Sequence, residues 1–188
     1  MKKEYIFKSE RLGFRDWTKE DHAEIVDMNA DLEVMEHFPK LLTENESVEL
    51  IGRLQKHYKR YGFTYFATEV LETKELIGFV GLVWQNYQSD FTPAVDIGWR
   101  LKKSCWGNGY ATEGASRCLD FAFTELGMDK IISTCTEKNS KSENVMKKIG
   151  MKKTGVFDHP QLTDYPELGK CICYEINKST WQQHSEPS

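Results

Sequence analysis

A glycine-rich turn, SCWGNGYATEG, directly precedes a stretch with helical periodicity and has residue types that suit a phosphate group. The first turn of a helix has backbone N–H groups without intrahelical partners and the positive end of the helix dipole, which attract phosphate or pyrophosphate. Gly107 and Gly109 would let such a ligand approach the backbone closely. Glycine-rich turns also serve as simple tight connections, so the turn alone does not establish a ligand.

Two common phosphate motifs fail in this turn. A dinucleotide fingerprint GxGxxG that starts at Gly107 needs Gly or Ala at Thr112. A P-loop that starts at Gly109 finds Gly114 but lacks the required lysine at Ala115. The next predicted strand, IISTC, has no aspartate for magnesium. The sequence therefore disfavours a nucleotide hydrolase.

A strand before the turn and a helix after it would position the ligand. The segment AVDIGWRL alternates in polarity, which predicts a strand with Asp96, Gly98 and Arg100 on its polar face. After the turn, apolar residues recur with helical spacing up to Leu126, and Gly127 lies where a helix would end. The residues of this apolar stripe are Ala111, Ala115, Cys118, Leu119, Ala122 and Phe123.

The remaining segments predict alternating helices and strands. Helices are predicted in TKEDHAEIVDMN, TENESVELIGRLQKHYKRYG and NSKSENVMKKIG. Each begins with a pair at capping-box spacing: Thr18 and Asp21, Thr43 and Glu46, and Ser140 and Glu143. Strands are predicted in RLGFRDW, DKIISTCT, KTGVF and KCICYEI, and a hairpin of two strands in TYFATEVLETKELIGFVGLVW. This hairpin makes the first part of the sheet antiparallel.

Composition predicts one globular domain. The chain has 188 residues, of which 39% are hydrophobic and 29% charged, enough for a single core. We expect the domain to span residues 1–178 and a polar C-terminal tail to span 179–188. No signal peptide and no membrane-spanning window is present, which predicts a cytoplasmic protein without a membrane partner.

Charge and cysteine content predict neither a nucleic-acid partner nor a metal. The formal net charge is −4, and no basic stripe is present. The five cysteines form an odd set without a CxxC pair or zinc-like spacing, which predicts reduced thiols. They are Cys105, Cys118, Cys135, Cys171 and Cys173.

The glycine-rich turn resembles the pyrophosphate loop of the GNAT superfamily of N-acetyltransferases, which reads Q/R-x-x-G-x-G/A. It matches at Gly109 and Ala111 and departs at Trp106. The form WGxGYATEA is similar to the branch of the RimJ/RimL ribosomal-protein acetyltransferases. SERLGFRDWTKEDHAEIVDM, AVDIGWRL and NSKSENVMKKIGM resemble further motifs of that branch, and FDHP followed by CYEI resembles one of its subgroups.

This resemblance implies a mixed α/β fold and a coenzyme A site. The sheet would be twisted, mostly antiparallel, of about seven strands with helices on both faces, and splayed between strands 4 and 5. Acetyl-CoA would lie in the splay as cosubstrate, with its pyrophosphate against the turn and no metal. The implied cofactor-binding residues are Trp99, Leu101, Trp106, Gly107, Asn108, Gly109, Tyr110, Ala111, Thr112, Asn139 and Asn144.

Acetyl transfer to an amine needs a base for the ammonium and an acid for the leaving thiolate. Asp96 occupies the position where the family usually has a glutamate, and the resemblance makes it the first candidate base; a structural hydrogen bond or ion pair is the alternative. Ser142 matches the serine placed to protonate the thiolate, with Ser140 as the predicted helix cap that leaves Ser142 free. His159 in FDHPQ is an alternative base or a solvent-facing histidine.

The resemblance implies an N-acetyltransferase that acts by direct attack in a ternary complex. Its acceptor would be either a protein N-terminal amine or a small-molecule amine. A catalytically silent acetyl-CoA-binding sensor or partner module is the alternative, and a homodimer is left open.

Overall fold

A computed structural model describes residues 4–185, which centre on one eight-stranded sheet. Its strands are β1 (Phe7–Lys8), β2 (Leu12–Arg15), β3 (Tyr65–Val70), β4 (Leu76–Gln85), β5 (Ala94–Leu101), β6 (Lys130–Thr136), β7 (Lys152–Asp158) and β8 (Lys170–Asn177). Their order across the sheet is β1-β2-β3-β4-β5-β6-β8-β7. The sheet has one strand more than predicted, because the two residues of β1 pair with β2.

Helices cover both faces of the sheet, as predicted. They are α1 (His22–Ala30), α2 (Glu44–Tyr61), α3 (Tyr110–Asp120), α4 (Ser140–Lys148), α5 (Pro166–Gly169) and α6 (Lys178–Ser185). One apolar cluster joins Ile97 of the sheet to Leu119 of α3. Another joins Phe79 of the sheet to Ile25 of α1 and Ile51 of α2. Both faces are therefore packed against helices.

The sheet splays between β5 and β6. Every other neighbouring pair is antiparallel, whereas β5 and β6 are parallel and pair at a single register, Asp96 with Ile132. Next to this pair, the Ser133 hydroxyl donates a hydrogen bond of 2.8 Å to the Ile97 carbonyl. Beyond that point β6 continues its pairing with β8 alone, as far as Thr136. A cleft therefore opens between the ends of β5 and β6, which confirms the predicted splay.

Two predicted helix starts have their capping boxes. The Thr18 N–H donates to Asp21 Oδ2 at 2.8 Å, and Asp21 leads into α1. The Thr43 N–H donates to Glu46 Oε2 at 2.9 Å, while Thr43 Oγ1 accepts from the Glu46 N–H at 3.3 Å. Helix α2 ends at Gly62, whose φ of +78° favours glycine. Local spacing therefore predicted both helices correctly.

The predicted cap of α4 is wrong by one residue. Asn139, not Ser140, is the N-cap, and its Oδ1 accepts a hydrogen bond of 3.0 Å from the Ser142 N–H. An asparagine oxygen is as good a cap as a serine oxygen, and Ser140 already lies in the first helical turn. Asn139 therefore both starts α4 and fixes the backbone of Ser142.

The segment predicted as a polar tail continues the fold. Helix α6 starts at Lys178, directly after β8, and Trp181 packs against the main apolar cluster with its ring 6.4 Å from the Phe123 ring. Trp181 is a single large apolar residue in a polar segment and gives no helical periodicity, so the sequence did not predict α6. The last part of the predicted tail, 186–188, lies outside the described residues.

The five cysteines are free thiols, and four of them, all but Cys135, are buried. Within residues 4–185, no helix is long and apolar enough to cross a bilayer. In the same part of the chain, no group of three or more His, Cys, Asp and Glu side chains is arranged to hold a metal ion.

Candidate active site

Two adjoining cavities open where β5 and β6 separate. The larger has a volume of about 430 Å³ and reaches the turn before α3. The smaller, of about 160 Å³, lies between β5 and β6 and reaches Asp96. Six residues line both cavities: His37, Phe38, Trp99, Arg100, Asn139 and Ser142. The two cavities therefore form one continuous site at the splay.

The turn before α3 presents its backbone to the larger cavity. Gly107 and Gly109 have φ angles of +79° and +80°, a region that favours glycine. A Cβ atom on Gly107 would meet nothing within 4 Å, and one on Gly109 would meet Arg11 Nη2 at 3.5 Å. The space beside this backbone is therefore open to a ligand. The predicted residues that line this cavity are Trp99, Leu101, Trp106, Gly107, Gly109, Tyr110, Ala111, Thr112 and Asn139.

The charges around the turn suit an anion. The first N–H groups of α3 have no acceptor within the helix, and the helix dipole places positive potential at this end. Lys141 and Lys148 line the same cavity, and Lys141 Nζ lies 4.3 Å from the centre of the Trp106 ring. The Trp106 Nε1–H donates to the Leu101 carbonyl at 2.9 Å, which ties the turn to the end of β5. A pyrophosphate fits this combination of amides and lysines.

Two polar residues of the turn region face away from the larger cavity. The Asn108 side-chain amide donates to the carbonyls of Cys105 and Trp106, both at 3.2 Å, and so shapes the turn itself. Glu113 accepts hydrogen bonds from the Arg11 backbone at 2.8 Å and from Arg11 Nε at 2.7 Å. The carboxylate of Glu113 is thereby paired with Arg11 and does not line the larger cavity.

Asp96 is a buried carboxyl group in the smaller cavity. It is 6% exposed, and its Oδ2 accepts a hydrogen bond of 2.6 Å from the Tyr65 hydroxyl. Burial raises its pKa to about 7, while the Tyr65 hydrogen bond and the nearby Thr134 backbone oppose that shift. Among the described residues, Oδ1 has no hydrogen-bond partner of standard geometry. Asp96 therefore has a pKa near neutrality and one oxygen available to accept a proton.

Gly98 makes the contact between Tyr65 and Asp96 possible. In the sheet register, Tyr65 of β3 lies opposite Gly81 of β4, and Gly81 lies opposite Gly98 of β5. A Cβ atom on Gly98 would lie 2.8 Å from the Tyr65 hydroxyl oxygen, which is too close. The Tyr65 side chain therefore reaches Asp96 across a strand position that has no side chain.

Ser142 lines both cavities at the start of α4. Its backbone is fixed by Asn139, as described above. Cys135 lines the smaller cavity, but burial raises its pKa to about 12, so it is a neutral thiol at physiological pH. Of the described hydroxyl and thiol residues at this site, Ser142 is the one that lines both cavities.

Three predicted site residues do not line either cavity: Asn108, Asn144 and His159. Asn144 is exposed on α4. His159 caps a 3₁₀ turn, with its Nδ1 accepting from the Gln161 N–H at 3.2 Å. Its ring lies 4.4 Å from the Tyr87 ring, and burial lowers its pKa. The structure thus brings Asp96 and Ser142 into one site and leaves His159 outside it.

Tyr65 and Arg100 are among the cavity residues that the sequence analysis did not predict. Tyr65 is distant in sequence and reaches the site only through the strand register. Arg100 carried a usable signal, because it shares the polar face of β5 with Asp96 although the strand is otherwise apolar.

The mixed, mostly antiparallel sheet matches the fold of solved acetyltransferases. A sequence model of the family described as "Acetyltransferase (GNAT) domain" matches residues 11–152, more than half of the chain. The chain belongs to this family of N-acetyltransferases.

Individual relatives agree with this assignment. The uncharacterized N-acetyltransferase YnaD of Bacillus subtilis is 29% identical over 150 residues, which cover 79% of this chain and 84% of that protein. A GNAT-family acetyltransferase from Bacillus anthracis has a TM-score of 0.77 at 26% identity, over 92% of this chain and 98% of that one. A spermidine N-acetyltransferase from Vibrio cholerae, solved with CoA and spermine, shares the fold with a TM-score of 0.71 at 22% identity, over 92% and 98% of the two chains.

Proposed function

We propose that this chain transfers an acetyl group from acetyl-CoA to a primary amine by direct attack in a ternary complex. The observation that carries the proposal is the position of Asp96. This carboxyl group has a pKa of about 7 and lies in a cavity that is continuous with the cavity beside the glycine-rich turn. Acetylation of an amine with a phosphate-bearing donor needs such a base and such an anion site in one cavity.

The larger cavity would hold coenzyme A. The backbone of 106–112, with Lys141 and Lys148, would hold the pyrophosphate. Trp99, Leu101 and Asn139 line the path from there to the smaller cavity and would hold the pantetheine arm. When bound, acetyl-CoA supplies a thioester carbonyl that a neutral amine can attack.

Asp96 would act as the general base. Its Oδ1 would accept the proton that the nitrogen loses as the C–N bond forms, directly or through one water molecule. The Tyr65 hydroxyl holds the other oxygen and fixes the orientation of the carboxylate. With a pKa of about 7, a large fraction of Asp96 is ionised at neutral pH.

Ser142 would act as the general acid. Its hydroxyl would donate a proton to the sulfur as the C–S bond breaks, and it would then regain a proton from solvent. The hydrogen bond from the Ser142 N–H to Asn139 keeps the residue at the junction of the two cavities. Asp96 and Ser142 thus serve the two proton transfers of one reaction.

Within the family we assign the chain to the RimJ/RimL-like branch. The support is the loop form WGNGYATEG together with the ordered motifs around it. The acceptor would be a protein N-terminal amine or a small-molecule amine. The cytoplasmic location and a homodimer stay predictions from sequence.

The test is an acceptor screen in which free thiol is followed. The purified protein is incubated with acetyl-CoA and a panel of polyamines, amino acids, aminoglycosides and peptides with free N-termini. We expect thiol release that depends on the acceptor. Tight coenzyme A binding without thiol release for any acceptor would instead support the catalytically silent sensor.

Gly109→Asp is expected to weaken coenzyme A binding by about 100-fold or more. The new carboxylate would lie beside the turn, next to Arg11 Nη2 and a few ångströms from the phosphates, where repulsion amounts to a few kcal/mol. Isothermal titration calorimetry measures the effect. Gly62→Asp is the matched control, because Gly62 has a similar φ of +78° and open space but lies at the end of α2. Equal affinities for the two variants would refute the assigned loop.

A further inference from the structure

We propose that Arg100 binds a carboxylate group on the acceptor, so that the acceptor is a small amine that also carries a carboxylate, as an amino acid does. This inference rests on the proposed function and names the substrate class of the same site. It favours a small-molecule acceptor over a protein N-terminus, and a zwitterion over a polyamine.

The guanidinium of Arg100 is held at the junction of the two cavities. Its Nη1 donates a hydrogen bond of 2.7 Å to Asn29 Oδ1, and its centre lies 3.9 Å from the Phe38 ring and 5.3 Å from the Phe79 ring. Asn29 is fully buried and is fixed in turn by Ser47, whose hydroxyl accepts from the Asn29 amide at 3.1 Å. The group is therefore oriented before any ligand arrives.

The charge of Arg100 lacks a carboxylate within hydrogen-bonding distance in the described part of the chain. Its Nε is buried and has no hydrogen-bond partner there, although the residue keeps some exposure through the cavity. Among the described residues, three carboxyl groups line the cavities with Arg100: Asp96 bonds with Tyr65, Glu33 bonds with Lys103, and Glu36 lies 3.8 Å from His37 Nε2. Burial without a counterion lowers the pKa of Arg100 to about 10, so it is still a cation at neutral pH. Because the buried guanidinium has no counterion, pairing with an anionic ligand would stabilise it more than it would an exposed or already paired cation.

The position of Arg100 favours the acceptor over the cofactor as the source of that anion. Arg100 and Asp96 lie on the same face of β5 and line the same small cavity, separated by Gly98. Residues four apart on a strand are separated by about 13 Å between Cα atoms, and the Asp96 and Arg100 side chains both line one cavity within this span. The phosphates already have the turn, Lys141 and Lys148. An acceptor whose amine lies at Asp96 and whose carboxylate lies at Arg100 would match the negative charge of Asp96 and the positive charge of Arg100.

The test compares amino acids with their primary carboxamides as acceptors, alongside spermidine and peptides, in the thiol-release assay. We expect the wild-type enzyme to prefer the carboxylate of the best pair by between about 10-fold and about 100-fold in kcat/KM, the range for a charged hydrogen bond. Arg100→Gln should reduce that preference to near one while it changes kcat/KM for the carboxamide only a few-fold. Arg100→Lys should keep part of the preference, and Arg53→Gln, at an exposed position of α2, should keep all of it.

The remaining outcomes distinguish a failure of the inference about Arg100 from a failure of the proposed function. Equal use of carboxylate and carboxamide by the wild-type enzyme, or better use of spermidine, overturns the inference and leaves the proposed function standing. This result does not depend on whether any variant folds. If Arg100→Gln keeps the preference but binds coenzyme A more weakly, the anion belongs to the cofactor and the inference is also wrong. If no acceptor in the panel releases thiol, the proposed function itself fails.

Discussion

Asp96→Asn is expected to lower kcat/KM for the amine acceptor by about 10² to 10⁴, the usual contribution of a general base. The side chain keeps its size and can still accept the hydrogen bond from Tyr65, so the cavity is preserved. Coenzyme A affinity should change little, because the glycine-rich turn that would hold the phosphates lines the larger cavity and not the cavity of Asp96. Steady-state kinetics together with calorimetric titration of coenzyme A separate the two effects.

The pH dependence gives this prediction a sharper form. Asp96 accepts a proton only when ionised, and its pKa is about 7. The ratio of wild-type to Asp96→Asn rates should therefore rise about tenfold per pH unit below pH 7 and level off above it. The titration of the amine itself affects both proteins equally and cancels in the ratio. A flat ratio would remove Asp96 as the base and leave water, because His159 lines neither cavity.

The same substitution should stabilise the protein at alkaline pH. The folded-state pKa of Asp96, about 7, is raised above its ordinary value of 3.8, so the folded protein holds a proton that the unfolded chain releases. The stability that this proton confers is complete below pH 4 and is lost as the pH rises through 7, by at most roughly 4 kcal/mol. Asp96→Asn avoids this loss, and its advantage in urea unfolding should grow from pH 4 to pH 8. Asp27→Asn, at an exposed position, should show no such trend.

Local sequence signals predicted most of the fold. The capping pairs at Thr18 and Thr43 and the αL glycine at Gly62 depend on contacts within a few residues, so their spacing alone locates the helices. The alternation along β5 placed Asp96 on the side of the strand that faces the cavity. The motif of the glycine-rich turn indicated the segment 106–112 as a ligand site, and this segment lines the larger cavity except at Asn108.

The environment of Asp96 could not be predicted from local signals. Its raised pKa depends on burial between β5 and β6 and on Tyr65, which arrives through two strand pairings. The orientation of Arg100 likewise depends on Asn29 in α1, 71 residues away in sequence. Such contacts follow from the packing of the whole sheet, whereas a single sequence shows only spacing along the chain.

A buried ion cluster anchors the start of α1, the helix that carries Asn29. Arg15 is 1% exposed, and its guanidinium donates two hydrogen bonds of 2.7 Å to the Asp21 carboxylate. Its Nε donates to Glu69 at 2.9 Å. The cluster joins β2, β3 and the turn that leads into α1. Removal of the shared cation would therefore weaken the packing of α1 on the sheet and, with it, the support of Arg100.

Arg15→Met is accordingly expected to destabilise the protein by about 3 to 5 kcal/mol at pH 7, because it leaves the carboxylates of Asp21 and Glu69 buried without their guanidinium. Urea unfolding measures the effect, and Arg53→Met, at an exposed position, should stay within about 0.5 kcal/mol of the wild type.

At acidic pH, the difference in the free energy of unfolding between Arg15→Met and the wild type should become smaller. In the wild type the pKa of Asp21 is lowered by Arg15 and Thr18 against the effect of burial, so its contribution is present above pH 4 and is lost as the pH falls through the lowered value. In the variant the buried carboxyl groups can take up protons and become neutral at a higher pH. Adding Asp21→Asn and Glu69→Gln to Arg15→Met should for the same reason recover much of the lost stability. A loss that is independent of pH and unchanged in the triple variant would mean that Arg15 stabilises the fold by packing and not by its charge.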